Sequence, residues 1–208
     1  MASGIGEAPG LLLKRALDAA AVWHADQFRK YPGVRVPYMT HVAGVVSILA
    51  RHGLPEDVQA AGALHDVLED TAATDDDLRA RFGERVAKLV AWVSEEDKTL
   101  PWEERKQAYL ERFPGKPWEA QAITLADKID NLRSIVVCAV DHGDPWAQFK
   151  RGRAAQLQRF DALLVAARAL PPHPLPAALV VEYAAALEDA RRVGDDGHLA
   201  AEGRRSGV

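Results

Sequence analysis

The sequence predicts an all-α globular fold of about eight to ten helices with little or no strand. Three observations predict it. Apolar residues recur at 3.6-like spacing in segment after segment, short connections rich in Pro and Gly separate those segments, and no period-2 run is convincing beyond two or three residues around Val34 to Val36. No internal repeat is present.

Taken in order, residues near 11 to 28 carry Leu12, Ala16, Ala19, Val22 and Trp23 on one face, and Lys30-Tyr31-Pro32-Gly33 follows as a loop. A second helix is expected from about His41 to His52, with Val42, Val45, Val46 and Leu49 inward and Gly53 placed to end it. Pro55, Glu56 and Asp57 make a favourable start for a third, because proline suits the first turn and carboxylates suit the positive end of the helix dipole. That helix is expected to run through His65-Asp66-Val67-Leu68-Glu69-Asp70. Positions 65 and 69, and 66 and 70, would then lie one turn apart on a polar face opposite Ala61, Leu64 and Leu68.

Thr74-x-x-Asp77 resembles a capping box, and Phe82-Gly83 separates its short helix from another through Val86, Leu89, Val90 and Val93. Residues 94 to 101 read as a charged loop. A helix near 102 to 113 stops at Pro114-Gly115, and the next runs from Pro117 through Ile123, Ala126, Ile129, Leu132 and Val136 to Gly143. Two more are expected near 145 to 170 and 176 to 193, parted by a proline-rich stretch. Residues 1–193 are expected to form one domain and 194–208 a disordered tail.

Composition narrows the function. Hydrophobic residues make up 48% and charged residues 27% of the 208, and the net charge of −4 gives no support to nucleic acid as a ligand. No apolar run is long enough to span a membrane and no signal peptide is evident, so a cytoplasmic location is expected. The single cysteine, Cys138, cannot form an internal disulfide. It reads as a small apolar side chain, and the five tryptophans read as packing residues.

A divalent cation asks for imidazole and carboxylate ligands held on rigid elements. His41, the adjacent His65 and Asp66, and Asp127 all fall on predicted helices and form a candidate ligand set. Glu69 and Asp70, one turn beyond, are candidates for orienting a water and moving its proton.

This H…HD…D pattern resembles that of the HD-domain metal-dependent phosphohydrolases. The wider text, Gln27-Phe28-Arg29-Lys30, Pro37-Tyr38-Met39-Thr40-His41, Leu64 through Thr71, Asp97-Lys98-Thr99-Leu100-Pro101 and Leu125-Ala126-Asp127-Lys128-Ile129-Asp130-Asn131-Leu132, resembles the hydrolase domain of the Rel/SpoT alarmone enzymes and the stand-alone small alarmone hydrolases. The resemblance spans roughly residues 15 to 140, and no synthetase or regulatory region is expected beyond it.

What the resemblance implies is Mn²⁺-dependent hydrolysis of the 3′-pyrophosphate of (p)ppGpp to GDP or GTP and pyrophosphate. It implies a metal held by His41, His65, Asp66 and Asp127, catalysis by Glu69 and Asp70, and substrate contacts from Arg29, Lys30, Asn131 and Lys98. A small-molecule nucleotide would be the substrate, with no nucleic acid or membrane partner expected and the oligomeric state left open. Arg29 and Lys30 can equally be read as cations at a helix C-terminus, and Lys98 as a solvated lysine. Other readings are phosphohydrolysis of another nucleotide, such as NADPH, and a metal-bound nucleotide sensor without turnover. Two departures from the family pattern are Val42, where a proline often follows the first metal histidine, and a longer loop between Lys30 and His41. After about residue 140 the family's late nucleotide contacts do not align; Lys150, Arg151, Arg153 and Arg159 are available there, with none singled out.

Overall fold

The computed structural model describes residues 8–95, 99, 101–171 and 174–193. Among them are ten α-helices and no strand: α1 (Leu11–Trp23), α2 (Met39–Arg51), α3 (Glu56–Ala63), α4 (Val67–Asp70), α5 (Asp75–Phe82), α6 (Glu84–Val93), α7 (Trp102–Arg112), α8 (Trp118–Asp141), α9 (Gly152–Arg168) and α10 (Ala177–Arg191). The all-α expectation holds. The tail expected to be disordered and Lys98 lie outside the described residues.

Small side chains let the first layer close. Ala16, Ala19 and Ala20 of α1 are buried and pack on α3, whose Ala60, Ala61, Gly62 and Ala63 are buried in turn. Glu56 accepts from the backbone N–H groups of Gly10 and Leu13, each at 3.0 Å, so α3 satisfies donors that the first turn of α1 leaves open. The first helix ends at Trp23 rather than near 28. Residues 24–38 form a loop pinned by an isolated antiparallel bridge between Phe28 and Pro37, with Arg29 N–H donating to the Val36 carbonyl at 2.8 Å. This bridge is all that the suspected strand near Val34 to Val36 becomes.

The long α8 is the axis of the molecule, packing against α2, α3, α6 and α10. Its Ile123, Leu125, Ile129 and Leu132 are fully buried, each such side chain contributing roughly 1.5–3 kcal/mol of apolar transfer. Glu182 of α10 ties the C-terminal end of α2 to the body of α8, meeting Arg51, His52 (2.6 Å) and Arg133 (2.7 Å). His52 thus has a carboxylate partner. α7 differs from the rest in having no buried residue.

One expectation fails in an informative way. The motif 65–70 does not continue a single helix. α3 stops at Ala63, Leu64 (φ −106°, ψ 4°) and Asp66 (φ −101°, ψ −3°) take bridge-region backbone, and α4 restarts at Val67 with Asp66 as its N-cap residue. Periodicity missed the break because the apolar spacing is unbroken: Leu64 and Val67 are both buried, with Leu68 packed half-buried beside them.

Candidate metal centre and cavity

Three elements bring the candidate ligands together. His41 comes from the first turn of α2, His65 and Asp66 from the α3–α4 break, and Asp127 from the middle of α8. The Nε2 atoms of His41 and His65 lie 3.2 Å apart, and Asp127 Oδ1 is 3.4 Å from the first and 3.8 Å from the second. Asp66 Oδ2 sits 2.9 Å from His65 Nε2 and 3.8 Å from His41 Nε2. His41, His65 and Asp127 are buried and offer one ligand atom each within 4.8 Å of one another.

The orientation of each ring has a cause. His41 Nδ1 lies 2.6 Å from Asp130 Oδ2 and His65 Nδ1 2.9 Å from the Gly62 carbonyl oxygen, so both rings donate from Nδ1 and turn Nε2 inward. The break after Ala63 is what allows His65 to turn back onto Gly62. Gly44 on α2 makes room for Asp130, since a Cβ there would overlap that carboxylate.

The carboxylates of the cluster stay ionised despite burial. Burial disfavours ionised Asp127, but the Lys128 ammonium bonded to it and the two imidazoles outweigh this and hold its carboxyl well below the usual range. Asp66 is likewise held low against its burial, chiefly by His65, and it accepts a hydrogen bond from the Tyr38 hydroxyl. For His65, burial favours the neutral ring, yet Asp66 and Asp127 win and raise it to about 9. Two imidazole nitrogens and the Asp127 carboxylate within 4.8 Å of one another, with Asp66 beside His65, suit a divalent cation of the Mn, Fe or Zn type.

The two candidate acids face different spaces. Half-buried Glu69 lines a small polar cavity of about 140 Å³ shared with His65, Asp66 and Asp127, and accepts from the Glu95 backbone N–H at 3.0 Å. Burial, then Asp66, pushes its carboxyl above the usual range. Exposed Asp70 lines instead a larger cavity of about 930 Å³ and is held by Gln27 Nε2 at 2.8 Å.

Arg29 and Lys30 lie in the 24–38 loop on the wall of the large cavity, not at a helix end. The Arg29 guanidinium donates to Asn131 Oδ1 and Ser134 Oγ, both at 2.9 Å, and Asn131 donates to Asp127 Oδ1. Asn131 and Lys128 line both cavities. Sequence reasoning assigned no role to Tyr38, Lys128 or Asp130. Asp130 was within reach of it, since it follows Asp127 by three positions on one helix. Trp102, read as a packing residue, is half-buried in the large cavity's wall, with Arg151 and Arg159 against its ring. The buried thiol of Cys138 agrees with its apolar reading.

Known proteins agree with this arrangement. The HD-domain family model matches residues 16–148. The guanosine-3′,5′-bis(diphosphate) 3′-pyrophosphohydrolase MESH1 of Xenopus tropicalis is 40% identical over 129 residues, 61% of this chain and 71% of that protein. Among solved structures, a metazoan ortholog of SpoT that hydrolyses ppGpp superposes with a TM-score of 0.74 at 31% identity, covering 86% of this chain and 96% of that one. The protein lmo0812 of Listeria monocytogenes superposes with a TM-score of 0.64 at 40% identity, covering 71% and 96%. The matched span exceeds half the chain and contains all four candidate ligands, and the chain accordingly belongs to the HD-domain family.

Proposed function

We propose that this chain is a metal-dependent phosphohydrolase that removes the 3′-pyrophosphate of (p)ppGpp, with Mn²⁺ as its cation and residues 1–193 as one hydrolase domain. The observation that carries the reading is the convergence of His41 Nε2, His65 Nε2 and Asp127 Oδ1 beside a cavity whose wall holds Arg29 and Lys30. The likeness to MESH1 and to the SpoT ortholog, which act on this compound, supports the choice of substrate.

His41, His65, Asp66 and Asp127 would hold the cation, which when bound supplies Lewis acidity to water and neutralises charge on the attacked phosphoryl group. Glu69, in the same small cavity and with its carboxyl raised above the usual range, takes a proton from the attacking water. The water oxygen attacks the phosphorus attached to the ribose O3′. The P–O3′ bond breaks, and O3′ leaves with a proton to give GDP from ppGpp, the other product being pyrophosphate. Lys128 faces the phosphates from Asp127's side. Asn131 holds Arg29 in place, and Arg29 and Lys30 engage the substrate's anionic groups, Arg29 through paired donors. Asp70 assists from the large-cavity side, and Lys98 is proposed as a further substrate contact.

The test is direct incubation of Mn²⁺-loaded protein with ppGpp, with GDP and pyrophosphate resolved by ion-exchange chromatography. Stoichiometric release of both is expected. Intact ppGpp, under conditions where a known relative consumes it, refutes the assignment; turnover of NADPH or another nucleotide instead would redirect it, and tight binding without turnover would mark a sensor.

A further inference from the structure

Arg159 of α9 lines the rim common to the small cavity and the large one. Two other cations share that rim. Lys106 is neutralised by Glu95 and Lys128 by Asp127. Arg159 has no carboxylate partner among the described residues; its one hydrogen bond is to Gln156 Oε1, at 3.3 Å. The side chain is half-buried, and burial and then Arg151 push its pKa below the ordinary arginine value. Arginine does not relieve such a position by giving up its proton, so a desolvated guanidinium calls for an anion.

Direction follows from what touches it. The Arg159 guanidinium carbon lies 4.6 Å from the centroid of the Trp102 ring, and that of Arg151 lies 4.0 Å from the same ring. Arg151 is already committed, donating to Glu103 at 2.6 Å. Trp102 and Arg151 line the large cavity and not the small one, so the ring on which the Arg159 guanidinium packs belongs to the wall of the large chamber. That chamber, at about 930 Å³, is large enough for a whole nucleotide.

We propose that Arg159, seated on Trp102, is a specificity-determining residue that binds the phosphate arm of the nucleotide that is not cleaved. The inference rests on the proposed hydrolase reading only for the placement of the cleaved arm at the ligand cluster. It makes the chain selective for nucleotides bearing phosphate at both ends of the sugar, because the remote arm meets a rim cation that has no carboxylate partner among the described residues.

GDP and guanosine test it, since GDP carries the uncleaved arm alone and has no 3′-phosphate to hydrolyse. Calorimetric titration of the full chain, at saturating Mn²⁺ and again in EDTA, is expected to show GDP binding at least tenfold tighter than guanosine. Arg159→Gln should bring that ratio near one while leaving guanosine affinity unchanged, and Arg159→Lys should retain part of it. If Arg159→Gln fails to fold, Trp102→Leu, which unseats the guanidinium without removing its charge, must lower the ratio. A wild-type ratio near one, or a ratio unchanged in the variant that folds, overturns the proposal. Loss of the GDP preference in Arg159→Gln without any ppGpp turnover would leave this inference standing and remove the hydrolase reading; ppGpp turnover without a GDP preference would do the reverse.

Discussion

Asp130 Oδ2 lies 2.6 Å from His41 Nδ1, one helical turn beyond Asp127 on the same face of α8. α8 therefore supplies both a candidate ligand and the carboxylate that orients another ligand. Replacing Asp130 with Ala is expected to weaken Mn²⁺ binding by roughly 10- to 100-fold, with Asp130→Asn intermediate. Calorimetric metal titration checks this, and equal affinity in all three proteins would show that His41 needs no such support.

Gly44 is the space that this pair requires. Gly44→Ala puts a methyl group into the Asp130 carboxylate. It should cost about 1–3 kcal/mol of stability by overpacking and reduce metal affinity in the same protein. Chemical denaturation paired with metal titration tests the coupling: a loss of stability with undiminished metal affinity would mean that Asp130 simply moves aside.

Ligands and proton-transfer groups should separate on mutation. Asp66→Ala and Asp127→Ala are expected to lose metal and activity together. Glu69→Ala should keep the metal and lose turnover by roughly 10²- to 10⁴-fold. Elemental analysis alongside single-turnover rates distinguishes the classes, and an empty metal site in Glu69→Ala would place Glu69 among the ligands instead.

Lys116 gives a pH signature away from the proposed chemistry. It is 3% exposed, its Nζ has no hydrogen-bond partner among the described residues, and it lies 3.6 Å over the Tyr109 ring. Burial, then Arg112 and Lys128, lowers its pKa to about 7. Because the folded state then binds fewer protons than the unfolded chain, stability should fall as pH drops from about 10.5 to about 7 and level off below. Lys116→Met should flatten that slope and be more stable at pH 7 by about 1–3 kcal/mol, the usual cost of an unsatisfied buried donor. Urea midpoints across pH 6 to 10 measure it; parallel curves for the two proteins would refute the assignment.

Much of this was legible in the chain. The all-helical class and several boundaries follow from apolar spacing with Pro and Gly punctuation, as at Pro55, Gly53 and Gly83, whereas the helix expected from 145 begins only at Gly152. His41, His65 and Asp127 stand out because ligand types recur on predicted helices. The break at Leu64 to Asp66 was hidden, since Leu64, Val67 and Leu68 keep a helical rhythm across it while the His65–Gly62 bond turns the backbone. Residues that meet only through packing were beyond reach. Trp102 and Arg159 are 57 positions apart, and nothing local marks them as neighbours.

The helix α7 buries no residue, although it forms one wall of the large cavity, whereas the candidate ligands sit on α2, on α8 and at the α3–α4 break, where neighbouring residues are buried. Substitutions at the exposed positions of α7 should therefore cost less folding stability than those around the ligands. Such a division lets selection retune which molecule enters this protein without touching the part that would act on it.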